Sequence, residues 1–322
     1  MSGWLWADPA KEAQRAAARE EAHARALQEL RSKLSESDEG RKAGQQLVQG
    51  GELSSPDELT SDAYLRKWLE AREWDVPLAF SCIVSHAGWR AHIMPHGYID
   101  EAWIQGPLSD GKVFLQGCDS LGRALAVIQV SKHFARTSRM HSMRLFTCYV
   151  MNAMMALCDA AVNPGRRLIS IFDMSHCAMA NIDVACLTMI LRLLGHHYVE
   201  QLDCMVFFNP PLVVWGLWHS MKGLLPDATR AKIKFVGPGD TRELQEVVPQ
   251  QVLPKQYGGS AELLLVQEAV RQFKLPPYPH LPDVAGTAGG EVPHEIADMP
   301  DAAAEIGEGS SSGHAKTGQQ QQ

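Results

Sequence analysis

Several things are missing from these 322 residues, and each absence excludes a class of protein. No run of 18 or more consecutive apolar residues occurs, so no bilayer-spanning helix is expected and any membrane contact must be peripheral. The first ten residues carry no basic stretch followed by an apolar one, so no secretory signal is expected. The cysteines at 82, 118, 148, 158, 177, 186 and 204 include no Cys-x-x-Cys pair and are odd in number. Reduced, buried thiols in a cytosolic compartment fit this better than a disulfide framework or a metal knuckle. Neither Gly-x-x-x-x-Gly-Lys-Ser/Thr nor Gly-x-Gly-x-x-Gly is present, which leaves nucleotide cradling without support. No Gly-x-Ser-x-Gly elbow accompanies Asp173, Ser175 and His176, and adjacent residues do not face each other as a triad must. An excess of one charge is missing too. The formal net charge is −7, but seven acids from Asp283 to Glu308 stand against Lys316 alone, which leaves the rest nearly neutral. Broad nucleic-acid binding is therefore not indicated.

What is present reads as an ordered succession of segments. Residues 11 to 33 form a polar helical pattern with a thin stripe of Ala18, Ala22, Ala26, Leu30 and Leu34, expected to be solvated. Residues 39 to 56 read as loop because of Gly40, Gly44, Gly50, Gly51 and Pro56. Ser61-Asp62 and Asp75 read as caps of two further helices. The middle alternates strands and helices. Val113–Gln116 and Ala124–Val130 form a hairpin around Asp119-Ser-Leu-Gly122, and a helix follows over Met143–Ala161. A strand Leu168–Phe172, a helix from Asn181 or Asp183 ended by Gly195, and strands at Met205–Phe208 and Lys234–Val236 complete the pattern. Such alternation predicts an α/β fold with a mostly parallel sheet. The expected organisation is a polar arm and linker (1–57), a helical module (58–95), an α/β domain (96–262), an extension (263–284) and an acidic, disordered tail (285–322).

Two features bear on chemistry. The helix Leu212–Leu225 is apolar almost all round, with Leu212, Trp215, Leu217, Trp218 and Met221 among its large groups. It is either a core helix or a gate, apolar inward to a cavity and outward to a membrane, with indoles suited to the interface. Glu200 and Lys232 stand beside buried strands, with Thr229 one turn before the lysine. They read either as a structural ion pair or as ligand groups. His196-His197 lacks other ligands at metal spacing and reads as a solvated or capping pair, so no metal is expected. His133 and His141 are isolated.

Taken in order, the motifs resemble one family. Leu65-Arg-Lys-Trp-Leu-Glu-Ala-Arg-Glu-Trp-Asp-Val76, Asp119-Ser-Leu-Gly-Arg123, Ile171-Phe-Asp-Met174, Tyr198-Val-Glu200, Phe208-Asn-Pro-Pro211, Lys232-Ile-Lys-Phe235 and Leu253-Pro-x-x-Tyr-Gly-Gly259 are similar to the CRAL-TRIO lipid-binding family. The likeness covers about residues 58 to 260. It implies a CRAL-TRIO fold, in which a small all-α module precedes a sheet flooring an apolar lipid pocket closed by a gate helix. It also implies a non-enzymatic carrier of phosphatidylinositol or a related phospholipid. By matched position, Arg72, Glu200, Thr229 and Lys232 would hold the headgroup. Glu73 stands where the family usually has a second base, and Val199 replaces the usual proline. The implied partners are a phospholipid and, transiently, a membrane surface. No cofactor beyond the bound lipid is implied, and the location would be cytoplasmic. The alternatives are an isoprenoid carrier, or an adaptor with a degenerate pocket.

Overall fold

The computed structural model describes residues 9–135, 139–224, 227–237 and 241–278. The N-terminal third is helical: α1 (Pro9–Glu36), α2 (Asp38–Gln49), α3 (Asp62–Glu70) and α4 (Val76–Ile93). Each start after α1 is capped by a side-chain oxygen. Ser37 accepts from the Gly40 N–H, Ser61 from Tyr64 and Asp75 from Leu78.

The structure corrects two expectations here. The stretch 39–56, read as loop, is mostly α2, because its glycines serve close approach instead of chain breaking. A Cβ at Gly40 would lie 2.1 Å from the Leu34 carbonyl oxygen, and one at Gly44 would lie 3.3 Å from Pro56 Cβ. Nor is α1 solvated throughout. Ala18 and Ala22 are exposed, but Leu27, Leu30 and Leu34 are buried with Ala43, Leu47, Leu65, Trp68 and Ile83 in one core. The stripe changes from alanine to leucine there, and leucine buries enough apolar area to hold a helix in place.

After α5 (Gln105–Ser109), β1 (Val113–Cys118) and β2 (Ala124–Gln129) form the expected hairpin. Asp119 accepts from the N–H groups of Leu121 and Arg123, and Gly122 takes φ +72° in the turn. Then come α6 (Met140–Leu157), β3 (Leu168–Asp173), α7 (Val184–His197), β4 (Leu202–Phe208), α8 (Leu212–Met221), α9 (Asp227–Ala231), β5 (Ile233–Val236), α10 (Thr241–Val247) and α11 (Val266–Gln272). Among the described residues the sheet has five strands in sequence order. Its first pair is antiparallel and the rest are parallel, a fold class the sequence predicts.

Gly195 does not end α7, which runs on to His197. The helix read over 212–225 is α8 followed by a single 3-10 turn, Lys222–Leu224, and residue 225 lies outside the described residues. The disorder expected for 285–322 also falls outside them. By length and overall apolar character Met179–His197 meets what a bilayer crossing needs, although its apolar residues are not consecutive. In the fold this segment breaks at Ile182–Asp183 between a 3-10 turn and α7, and α7 lays Cys186, Met189 and Leu193 into the core.

Side chains alternate across the sheet. Phe114, Leu125, Val127, Ile169, Ile171, Val206 and Phe208 pack on one face against Leu244, Val248, Leu253 and Tyr257. The opposite face carries a cross-strand aromatic row, Phe172, Phe207 and Phe235, in register on β3, β4 and β5. Trp215 of α8 stacks on the end of that row, 4.5 Å from Phe235. The Leu253–Gly259 motif is a lock for the first face. The buried Tyr257 hydroxyl donates to Asp173 Oδ2 at 2.7 Å, Gly258 takes φ +85°, and a Cβ at Gly259 would lie 1.8 Å from the Leu253 oxygen. Tyr257→Phe should therefore cost about 1–3 kcal/mol, because it strips a buried carboxylate of its partner. Urea unfolding should show a lower midpoint with an unchanged slope.

Candidate functional site

The aromatic face of the sheet and the helices α6, α7 and α8 enclose a cavity of about 180 Å³. Its wall is almost wholly apolar. The sheet gives Ala126, Ile128, Phe172, Met205 and Phe207. Helix α6 gives Phe146, Val150, Met151 and Met154, and α7 gives Ile190 and Leu194. From α8 come Val214 and Leu217, three residues apart and so on one helix face. The other residues expected in the gate lie elsewhere. Trp215 and Trp218 pack on Phe235, and Leu212 is 88% exposed. The Met221 side chain lies outside the described residues. Val214 was not singled out in the sequence, although its spacing from Leu217 carried the signal.

One corner of the cavity is polar. The Lys112 ammonium, almost completely buried, donates to Asp110 Oδ2 at 2.7 Å and to His133 Nδ1 at 3.2 Å. An ammonium can only donate, so His133 carries its proton on Nε2, which faces Asp183 Oδ2 at 3.2 Å. His133, Asp183 and Cys186 bring ring-nitrogen, carboxylate and thiol atoms within 4.8 Å of one another, a grouping the sequence did not disclose, but with Nδ1 accepting from Lys112 and Nε2 protonated the imidazole has no lone pair free for a metal. Asp183 also caps α7 through Oδ1, and burial, then the nearby Asp183 charge, pushes the Cys186 thiol up to about 11.

At the opposite end of the strands, where β3 and β4 begin, Tyr198-Val-Glu-Gln201 joins α7 to β4. Val199 is buried in the helical module's core, while Glu200 adopts φ +56° and meets Lys232 Nζ at 3.1 Å. The structure therefore pairs two of the four headgroup residues expected from the resemblance. Arg72 is engaged elsewhere. Its guanidinium donates to Cys82 Sγ, to the Ala71 oxygen and to the Gly195 oxygen at the end of α7. Thr229 lies on α9, and its side chain is outside the described residues. Glu200 and Gln201 instead border a polar cleft of about 490 Å³ between the helical module and this end of the sheet, together with Arg66, Lys67, Arg166 and Arg167. The sequence gives no sign that 66–67 and 166–167 meet, because nearly 100 residues separate them.

Behind the cleft a buried network ties the two halves together. Glu52 accepts from His86 Nε2 at 2.7 Å, Tyr64 Oη at 3.1 Å and Lys67 Nζ at 3.3 Å, with Arg90 Nε at 3.4 Å. Burial opposes ionisation of Glu52, but the charges of His86, Lys67 and Arg90 outweigh it and hold the carboxyl well below its usual range. His86 Nδ1 faces His197 Nδ1 at 3.2 Å, so one proton serves both nitrogens. His197 stacks on Trp89 at 3.7 Å and is not the solvated end expected from sequence. Burial, then the neighbouring His86, lowers its pKa to about 2. Asp173 and Ser175 are structural: the carboxylate accepts from Tyr257 and from the Ser175 N–H, and Ser175 Oγ accepts from Asn209.

Residues 108–259 match the CRAL/TRIO domain model. A CRAL-TRIO domain-containing protein of Schizosaccharomyces pombe is 25% identical over 207 residues, 62% of this chain and 45% of that protein. Phosphatidylinositol transfer protein CSR1 of Eremothecium gossypii is 24% identical over 216 residues, 62% of this chain and 48% of its own length. The chain thus spans less than half the length of these relatives. The crystal structure of Sfh5 shares the fold with a TM-score of 0.59, covering 77% of this chain and 91% of that one at 15% identity.

The histidine pair makes a pH prediction. Unfolded His197 titrates near its ordinary 6.5 and folded His197 near 2, so below pH 6.5 the unfolded chain binds the extra proton. Stability is then full above pH 6.5 and falls as the pH drops, by up to about 1.4 kcal/mol per pH unit for one proton. Glu52, ordinarily 4.5 and lower here, adds its loss only below that value. Thermal melts between pH 7 and 5 should show a falling Tm. In His197→Asn the Tm should be lower at pH 7 and the slope shallower.

Proposed function

We propose that this CRAL/TRIO-domain chain takes the apolar part of a phospholipid into its cavity and carries it between membrane surfaces, without catalysing a reaction on it. The observation that carries the reading is the two-sidedness of α8. Val214 and Leu217 line an apolar cavity, while Leu212 and Val213 of the same short helix are exposed and Trp215, stacked on Phe235, still leaves 40% of its surface to water. Burying one such side chain in an apolar medium gains roughly 1.5–3 kcal/mol, so a bilayer offers this helix what the folded chain does not. The cavity, about 180 Å³, is below the roughly 300–1,000 Å³ usual for small-molecule sites, so a long-chain ligand must displace its wall. The methionines of α6 can reshape around flexible chains. Reduced thiols at all seven cysteines support a cytoplasmic setting.

Phosphatidylinositol is the favoured ligand. Lys232 can neutralise a phosphate and Glu200 can accept from inositol hydroxyls, and the two are already together. The relative named as a phosphatidylinositol transfer protein supports the same choice. Arg72 would reach a headgroup only by leaving Gly195, and Thr229 would approach from α9.

Mass spectrometry of an organic extract of the purified chain should find phosphatidylinositol, whereas an isoprenoid without phospholipid overturns the headgroup assignment. In vesicle exchange assays, Lys232→Met and Glu200→Gln should each slow phosphatidylinositol transfer about ten-fold or more, as expected for a charge-assisted hydrogen bond of roughly 1.5–3 kcal/mol. The exposed pair Leu212→Ser and Trp215→Ser should slow exchange while the lipid already bound is retained. Unchanged exchange rates would show that α8 is not the gate.

A further inference from the structure

We propose that the polar cleft between the helical module and the end of the sheet holds the phosphate-bearing polyol headgroup, with Arg166 and Arg167 as its phosphate contacts. The inference rests on the carrier reading above and adds residues that no family motif supplies. Gln201 is the hinge of the reasoning, because it lines both the apolar cavity and the cleft. The two spaces are thus back to back across one side chain. A molecule with greasy chains on one side of Gln201 has its polar end on the other. Gln201 is more than nine-tenths buried, yet its Oε1 has no hydrogen-bond partner among the described residues. A buried acceptor without a donor is costly, and a ligand hydroxyl is a donor of the right kind.

The charges of the cleft point to an anion. Glu52 is already paired with His86 and Lys67, and Glu200 with Lys232. Arg90 is occupied by Gly50 and Asn152. Arg166 and Arg167 differ: both are exposed, and neither guanidinium makes a hydrogen bond or ion pair among the described residues. Glu58 and Glu70 also border the cleft, but Arg66, Arg166 and Arg167 outnumber them, so the unpaired charge facing it is net positive, and an arginine fork matches phosphate oxygens. Arg166 and Glu200 both sit in the left-handed region, at φ +48° and +56°, on walls of the same cleft. Two non-glycine residues are thus held in an unfavourable backbone conformation where the ligand would lie. Carboxylates among the cations suit a headgroup that brings hydroxyls as well as phosphate.

The test uses the full chain and phosphatidylcholine vesicles with a trace of fluorescent phosphatidylinositol. Exchange and vesicle sedimentation are measured for the double variant Arg166→Gln, Arg167→Gln. The charge-matched pair Arg15→Gln, Arg19→Gln, exposed on α1, serves as the control. The expected result is exchange slowed in the double variant by at least the roughly ten- to hundred-fold that one charge-assisted contact supplies, with vesicle binding unchanged and the control as wild type. Gln201→Leu should fold at least as stably as wild type and exchange several-fold more slowly. An unchanged rate in Gln201→Leu disconnects cleft from cavity and overturns the assignment. An unchanged rate in the arginine variant overturns it too and leaves lipid carriage standing. A matching loss of vesicle binding makes the arginines membrane-surface residues and also overturns it. If titration shows that inorganic phosphate binds wild type and not the double variant while exchange is equal in both, the cleft is a free-anion site and the headgroup role fails. If wild type exchanges no lipid and carries none in its extract, the carrier reading itself fails.

Discussion

Glu52 is a carboxylate largely removed from water, and the folded chain keeps it ionised by gathering donors from two helices. Tyr64 and Lys67 reach it from α3, and His86 and Arg90 from α4. A buried charge is tolerable only when its partners are fixed, so these side chains cannot move independently. Two of them also face the α/β half: His86 meets His197 of α7, and Arg90 meets Asn152 of α6. Asn152 in turn accepts from Tyr198, which lines the cavity. One ion therefore sets the spacing between the helical module and the sheet, and that spacing is the width of the polar cleft.

The cavity depends on a different economy. Three of its walls are anchored: the sheet by its ladder and by Tyr257 behind it, α6 by its buried residues, and α7 by the Asp183 cap and the His197 stack. Helix α8 is anchored least. It holds the structure through Val214, Leu217 and the contact of Trp215 and Trp218 with Phe235, and Leu212 and Val213 face water. A wall with few buried contacts is the one a ligand can displace at low cost. Lys112, His133 and Asp183 line one corner of this cavity, and Gln201 joins its wall to the cleft that Glu200 borders, so an amphiphile entering it has defined places for polarity.

Much of this was legible in the sequence where physics is local. Ser61 and Asp75 start helices because their side chains accept from N–H groups three residues on, a relation the sequence contains directly. The Asp119–Arg123 turn and the period-two strands are of the same kind. Gly40 and Gly44 misled because a glycine required for close packing is indistinguishable, in sequence, from one that breaks a helix. His196-His197 misled in a similar way, since the partner that buries His197 lies more than 100 residues away.

The sequence by itself determined the alternation of elements and the apolar character of α8. Only the tertiary structure decided which side of α8 lines the cavity, that Glu200 meets Lys232, that Arg72 turns to Gly195, and that Arg66, Lys67, Arg166 and Arg167 share one cleft. The reason is one of range. Caps, turns and periodicity act over a few residues and leave their mark in neighbouring letters. A cleft between two modules is made by residues that approach only after both cores have packed, and nothing in either local segment records the distance between them.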